Sequence, residues 1–140
     1  MPSFHWSVRN AVYVPELDAE HRAIYLMGAE LERAAAAGDS PERLLEIVRA
    51  LQAHAEDHFA HEERLMRAAH YSGSEWHKGQ HDGARRRMKQ FARRIAADDR
   101  EAPAELLDYL ARWLRDHTAV TDRLMTACLR GFERQHAAVA

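Results

Sequence analysis

Two pairs of side chains able to bind a metal are spaced four positions apart in this chain, and each pair falls on an apolar stripe. The pairs are His58 with Glu62, and His77 with His81. Because residues four apart project from one face of an α-helix, each pair requires a helix that presents both donors to the protein interior. A buried carboxylate without a partner is costly, so the pattern indicates helices packed around ion pairs or a metal.

Metal-capable side chains recur in two further segments, which brings the candidate set to five imidazoles and two carboxylates. The additional residues are His21, His117 and Asp122. Such a set matches the inventory of a two-metal site rather than that of a one-metal site. Ten histidines in 140 residues make any single pair uninformative, so the hypothesis rests on the joint occurrence of these donors in four segments.

Turn signals divide the chain into four helical segments. Ser40 is a good N-cap and Pro41 favours a first helical position, so a helix is predicted to begin there. Further turns are predicted at 71–74 and 98–103, and the last helix is predicted to end near Gly131. Short connections make successive helices antiparallel neighbours, which predicts an all-α, antiparallel up-down-up-down four-helix bundle with an N-terminal arm. The predicted bounds are 1–16 for the arm, 17–131 for the bundle and 132–140 for a C-terminal tail.

The candidate ligands are predicted to meet at one end of this bundle. His21 and His77 lie early in the first and third helices, whereas His58 and His117 lie late in the second and fourth, which run in the opposite direction. Asp122 follows His117 by five positions at about 100° each, off the face of His117, so a local π-type widening is predicted there. The predicted buried stripe of the fourth helix is Leu106, Leu110, Trp113, Leu114, His117, Val120, Leu124 and Cys128.

The composition excludes several classes of partner and site. Lys and Arg number 20 against 22 Asp and Glu, so no overall positive field favours nucleic acid. Cys128 is the only cysteine, which excludes an intrachain disulfide and thiolate-rich zinc or iron–sulfur sites. The sequence has no leader-like start and no long apolar run, so a cytoplasmic protein without membrane insertion is expected.

A basic cluster occupies positions 85–94 of the third helix. We expect it to form a solvated outer face whose charges pair with acidic residues of neighbouring helices. The alternative is a docking surface for an anionic partner.

Four strings of this chain resemble those of the hemerythrins, and particularly the stand-alone bacteriohemerythrins. The strings are Asp18 to His21, His58 to Glu63, Tyr71 followed by His77 and His81, and Trp113 to His117 followed by Asp122. The resemblance spans roughly residues 6 to 128. The chain departs from the family pattern at Glu20, where the family often has Gln, at Thr118, where a branched aliphatic is usual, and after Tyr71, where no proline follows.

The resemblance implies two iron ions joined by a hydroxo or oxo bridge, with O2 as the ligand. It implies that His77, His81 and His117 bind one iron and that His21 and His58 bind the other. It further implies that Glu62 and Asp122 bridge both irons. The second iron would then have one free position for O2.

Five residues within a turn of these ligands are expected to line an apolar O2 pocket. They are Ile24, Phe59, Trp113, Leu114 and Thr118. Ordinary core packing is the alternative for the first four, and the Thr118 hydroxyl either faces the pocket or bonds its own helix backbone.

The resemblance implies reversible O2 binding for storage, delivery or scavenging, rather than catalysis. The alternatives are a di-iron oxidase, a peroxidase or a nitric-oxide-handling enzyme, an O2 or redox sensor, and a structural zinc bundle. A sensor is less favoured because no output module is expected within this chain. Expected partners are O2 and an O2-consuming enzyme or a reductase; the sequence leaves the oligomeric state open.

Overall fold

A computed structural model describes residues 4–139, with side chains up to Gln135. A 3-10 turn at Val8–Asn10 precedes the helices α1 (Pro15–Ala36), α2 (Pro41–Ala68), α3 (Ser74–Ala96), α4 (Ala102–Asp116), a π-helical segment (His117–Asp122) and α5 (Arg123–Val139). The last three elements form one continuous fourth helix. None of the helices within residues 4–139 combines the length and the apolar character needed to cross a bilayer.

The helices pack as a closed ring of four neighbours, which confirms the predicted all-α four-helix bundle. α1 contacts α2, α2 contacts α3, and α4 contacts both α3 and α1. The predicted start of α2 is also confirmed, because the Ser40 hydroxyl accepts a hydrogen bond from the Arg43 N–H at 3.2 Å and Pro41 occupies the first turn.

Two apolar clusters fill the bundle, one on each side of the candidate ligands. The larger cluster includes Leu31, Leu51, Phe91 and Leu106, and the smaller includes Leu17, Met66, Met125 and Leu129. On α1, α2 and the fourth helix, the candidate ligands lie between these clusters in the sequence. Apolar packing therefore seals the ligand layer from both sides.

The predicted π-type widening is confirmed, but the apolar stripe predicted beyond it is wrong. Val120 is 57% exposed and Leu124 is 53% exposed, whereas Thr121, Met125 and Leu129 are buried. Cys128 is half-buried. A π turn holds one residue more than an α turn, so the buried face moves one position along the chain. The same shift turns Asp122 inward.

The predicted end of the last helix near Gly131 is also wrong, because α5 continues to Val139. A single glycine inside a helix costs only about 1 kcal/mol relative to alanine. Phe132, which follows it, packs against the smaller apolar cluster. The division of the chain at 16 and 131 stays a prediction.

The N-terminal arm is fastened to α1 by side-chain contacts. The Asp18 carboxylate accepts the Val12 N–H at 2.8 Å and the Tyr13 N–H at 3.2 Å, while Tyr13 adopts a φ of 64°. The ring of Phe4 lies so close to Gly28 that a Cβ there would meet it at 2.5 Å. Gly28 is therefore required for the close approach of the arm.

Candidate metal centre

The structure brings the seven sequence-predicted ligands into one buried layer. Each has at most 4% of its surface exposed. α1 supplies His21, α2 supplies His58 and Glu62, α3 supplies His77 and His81, and the π segment supplies His117 and Asp122. The four histidines predicted to lie at matching depths, one from each helix, are all in this layer.

One oxygen of each carboxylate lies near two histidines, and the two oxygens together contact three. Glu62 Oε1 lies 3.3 Å from His77 Nε2 and 3.0 Å from His81 Nε2. Asp122 Oδ1 lies 3.2 Å from His77 Nε2 and 2.9 Å from His117 Nε2. We call these residues the three-histidine group.

The other oxygen of Glu62 lies near two further histidines, and the other oxygen of Asp122 lies near one of them. His21 Nε2 and His58 Nε2 are 3.1 Å apart. Glu62 Oε2 lies 3.3 Å from His58 Nε2 and 3.7 Å from His21 Nε2, and Asp122 Oδ2 lies 3.3 Å from His21 Nε2. This is the two-histidine group, and it shares both carboxylates with the three-histidine group.

Unsatisfied polar atoms indicate that this layer fits metal ions. Glu62 Oε2, both carboxylate oxygens of Asp122 and His117 Nε2 are buried without a hydrogen-bond partner. Such atoms would each cost about 1–3 kcal/mol. Two ligands that bind one ion at about 2.1 Å and at right angles lie about 3 Å apart, close to the separations observed. Imidazole with carboxylate suits iron, zinc, manganese or copper.

Three of the histidine rings are oriented by acceptors at Nδ1. The contacts are Glu20 Oε1 to His58 at 2.6 Å, Glu63 Oε2 to His81 at 2.8 Å and Gln80 Oε1 to His117 at 2.7 Å. A proton held at Nδ1 leaves the Nε2 lone pair free to bind a metal.

The acceptors follow the order of the helices. Each acceptor is adjacent in sequence to a candidate ligand and binds a histidine ring on the next helix. An acceptor on α1 binds a ring on α2, one on α2 binds a ring on α3, and one on α3 binds a ring in the π segment. The Thr121 hydroxyl also donates to Gln80 Oε1 at 2.8 Å, and His61 Nδ1 lies 2.7 Å from Glu20 Oε2. The Nδ1 atoms of His21 and His77 are buried without a hydrogen-bond partner.

The buried carboxylates raise the pKa values of three histidines in the metal-free cluster. Burial alone would lower the pKa of His21, but the carboxylates of Asp122 and Glu62 raise it to about 10. The same balance raises the pKa of His77 to about 9. For His58, burial is likewise outweighed, by Glu62 and Glu20, and the pKa is about 9. Protons therefore supply the positive charge that metal ions would bring.

The carboxylates and His117 shift in the other direction. Burial acts to raise the pKa values of Glu62 and Asp122, but the surrounding histidines hold both well below their usual range. Burial lowers the pKa of His117 despite its contact with Asp122. A neutral His117 with its proton on Nδ1 is a ready metal ligand.

The expected pocket residues lie in two different surroundings. Phe59 stacks on His81 with 4.2 Å between ring centroids, and Trp113 stacks on His117 at 4.1 Å. Both rings thus pack on the three-histidine group. Ile24 and Leu114 are buried in the larger apolar cluster, and Thr118 is buried in the π segment.

Sequence reasoning missed the residues that support the candidate ligands. They are Glu20, Glu63, Gln80 and Thr121. The usable signal was a polar residue directly beside each candidate ligand, but the spacing alone does not say which ring it reaches.

Comparisons with known proteins find a family model, curated relatives and a solved structure similar to this chain. The model of the hemerythrin HHE cation binding domain matches residues 12–129. The chain is 27% identical to a bacteriohemerythrin of Clostridium acetobutylicum, over 86% of this chain and 96% of that protein. It is 30% identical to a bacteriohemerythrin of Ralstonia nicotianae, over 100% of both chains. A solved hemerythrin mutant, 22% identical, superposes with a TM-score of 0.79 over 92% of this chain and 98% of that one, which shows a common fold.

Proposed function

This chain belongs to the hemerythrin HHE family, and on that premise we propose that it binds O2 reversibly at two non-haem iron ions. The observation that carries the proposal is the division of each buried carboxylate between a three-histidine group and a two-histidine group. The donor set of this site is rich in imidazole. Because it has few anionic ligands, it stabilises highly oxidised iron less, which supports O2 carriage rather than the oxidation of a substrate. Relatives named bacteriohemerythrin support the same assignment.

We assign the seven side chains to two metal positions. His77, His81 and His117 hold one ion, His21 and His58 hold the other, and Glu62 and Asp122 bridge them. The second position has one histidine fewer, so this is where O2 enters. Iron supplies the electrons that O2 accepts on binding and returns on release.

The chain's own residues keep that position dry and the ligands in place. The cluster is sealed by the apolar groups on both sides, which excludes the water that promotes irreversible oxidation. Ile24, Leu114 and Thr118 are proposed as walls of the O2 pocket, and Phe59 and Trp113, which stack on His81 and His117, are proposed to cover the ligands of the first position. Glu20, Glu63 and Gln80 hold the tautomers in which Nε2 faces the metals.

We further propose that the protein stores, delivers or scavenges O2 in the cytoplasm. In this role it exchanges O2 or electrons with an O2-consuming enzyme or a reductase.

An absorption spectrum of the iron-loaded protein tests the proposal. The protein is reduced without air, exposed to O2 and then degassed. Reversible binding gives a visible charge-transfer band that appears with O2 and disappears on degassing. Bleaching to a stable diferric spectrum while an added reductant is consumed would instead establish an oxidase, and a colourless protein that retains only zinc would refute both.

A further inference from the structure

The outer face of α3 carries four cations that have no acidic partner. Arg86, Arg87, Lys89 and Arg93 are exposed, and none forms an ion pair with any side chain in the described part of the chain. We call them the basic face. The neighbouring Arg85 and Arg94 are each paired with acidic side chains, as expected for a solvated outer face.

The pairs that neutralise those neighbours are short. Arg85 reaches Glu56 at 2.7 Å, Asp82 at 2.8 Å and Glu63 at 3.0 Å. Arg94 reaches Asp99 at 2.8 Å and Glu105 at 2.5 Å. Acidic groups are therefore available along both edges of α3, yet the basic face between those edges keeps its charge.

A groove between α3 and α4 borders this face. Its volume is about 460 Å³, and Arg86, Arg87, Gln80, Tyr109 and Trp113 are among its walls. The Arg87 guanidinium lies over the rings of Phe91 and Tyr109, at 4.7 Å and 5.2 Å from their centroids. These stacks hold a positive charge at the groove.

The groove also touches the candidate metal centre. Trp113 is partly exposed, and its indole lies nearly parallel to the His117 ring at 12°, with 4.1 Å between centroids. Gln80, another wall residue, accepts the His117 Nδ1–H at 2.7 Å. One aromatic ring therefore separates the groove from a candidate iron ligand.

We propose that this groove and the basic face dock an acidic electron-transfer protein, and that the Trp113–His117 stack carries electrons from it to the irons. The inference rests on the proposed function, because iron oxidised to the ferric state must be returned to the ferrous state to bind O2 again. Each docking transfers one electron. Two dockings reduce two ferric ions, and two partner molecules are each oxidised by one electron.

The charge distribution favours a protein partner over a nucleic acid. The whole chain carries a net charge of −2, while the basic face carries four unpaired positive charges. Such an uneven distribution orients an approaching acidic protein and raises its association rate. A nucleic acid would meet repulsion from the rest of the molecule. Redox encounters bury little surface, so a small patch suffices.

Reduction by an acidic redox protein tests the proposal directly. Oxidised, iron-loaded protein is mixed without air with reduced flavodoxin, and the rate of iron reduction is followed at low and at high salt. The double variant Arg86→Glu with Arg87→Glu should reduce that rate about tenfold at low salt, and high salt should remove the difference. Reduction by dithionite, which does not need the docking face, should be unchanged.

A matched charge reversal serves as the control. Arg33 on α1 and Arg49 on α2 are exposed, and replacing both with Glu changes the net charge by the same amount. This variant should retain the greater part of the wild-type rate. Equal slowing in both double variants would overturn the docking site, because it would show a general charge effect. Trp113→Leu should slow electron transfer even at saturating flavodoxin, which separates the loss of the Trp113–His117 stack from any loss of affinity.

Binding is also measured without iron chemistry. The zinc-loaded protein is titrated with flavodoxin, and NMR shifts are expected at the Trp113 indole and along 86–93. Shifts elsewhere, or tighter binding of duplex DNA by the same residues, would overturn the proposal. If the iron-loaded protein fails to bind O2 but these shifts are seen, the proposed function fails while the docking site stands.

Discussion

Glu20 places a negative charge against the outer nitrogen of a candidate ligand. Its carboxylate lies 2.6 Å from His58 Nδ1 and 2.7 Å from His61 Nδ1, so one side chain links a buried ring to a half-buried one. A carboxylate acceptor makes the imidazole a stronger donor to a metal. A Gln at this position would offer a hydrogen-bond acceptor of similar size without the charge.

Replacing Glu20 with Gln should weaken metal binding and raise the iron reduction potential, because the charge that stabilises ferric iron is lost. The expected fall in metal affinity is about 10-fold to 100-fold. It is measured by competition with a chelator, and the potential by redox titration. Glu16→Gln, on the exposed side of the same helix, is the control. Equal affinities and potentials for wild type and E20Q would contradict the role given to Glu20.

Replacing Glu62 with Ala should remove the carboxylate that serves both groups of histidines. Each metal position then loses an oxygen, so the chain should retain well below two irons while remaining helical. Iron content is measured by elemental analysis and the fold by circular dichroism. Glu46→Ala removes an exposed carboxylate of the same helix and should change neither. Two irons per chain in E62A would refute the ligand assignment.

At the scale of helices, the π segment decides which residues of the last helix face inward. It brings His117 and Asp122 into one layer although five positions separate them. The widening could be predicted because a five-residue step does not return to the same helix face. Its effect on the following residues could not be predicted in the same way. Val120 and Leu124 are apolar and lie where an uninterrupted α-helix would bury them, so the sequence gives no sign of the change in register.

Deleting Ala119 removes the extra residue of the π segment, so the segment should become α-helical while α5 keeps its register. Asp122 would then follow His117 by four positions, on the same helix face, and Met125 and Leu129 would stay in the core. Inserting one alanine after Asp122 into this deletion variant should instead rotate α5 by about 100° and expose Met125 and Leu129. The deletion alone should keep most of the unfolding temperature and metal content, the second variant should lose stability, and the reverse order in calorimetry would contradict the function given to the π segment.

Two glycines that lie within helices should respond in opposite ways to alanine. Gly131→Ala meets open space and removes backbone freedom from the unfolded chain, so it should stabilise by about 0.5–1 kcal/mol. Gly28→Ala would push against the Phe4 ring and should destabilise by about 1–3 kcal/mol, less the same helix gain. Urea unfolding of the two variants measures both effects. Stabilisation by G28A would show that the arm can move aside without loss.

The supporting residues could not be predicted from spacing in the same way. Glu20, Glu63 and Gln80 are each beside a candidate ligand, but each contacts a ring on another helix. Which ring an adjoining residue reaches depends on the rotation of neighbouring helices. The periodicity of the sequence indicates which face of each helix is buried, but it does not indicate how neighbouring helices are rotated relative to one another.

At the scale of the whole molecule, the centre couples folding, proton binding and metal binding. The metal-free fold raises the pKa values of His21, His58 and His77 to about 10, 9 and 9, above the unfolded value of 6.5, and so favours the binding of protons to this cluster. Glu62 and Asp122 have lowered pKa values, so their contribution is lost in acid. Metal ions need neutral imidazoles and compete with those protons.

Metal-free and zinc-loaded protein should therefore differ increasingly as pH rises. The histidines with raised pKa values contribute fully to the stability of the metal-free fold below about pH 6.5. This contribution is lost as pH rises toward 9–10. The metal-free unfolding temperature should fall over this range, while the gain from zinc should grow. Calorimetry from pH 6.5 to 9 measures both. A metal-free unfolding temperature that rises with pH would contradict the assigned proton balance.

The distribution of acceptors at the histidine Nδ1 atoms should also determine which metal position exchanges its ion first. Within residues 4–139, only the 3-10 turn at Val8–Asn10 precedes α1, and the His21 ring has no acceptor at Nδ1 among the described residues. The two-histidine group therefore contains one oriented ring and the three-histidine group contains two. The position with fewer and less restrained donors releases its ion first. Brief chelation followed by addition of a different metal should thus yield a mixed-metal protein with a defined arrangement, in which the newcomer lies beside His21 and His58.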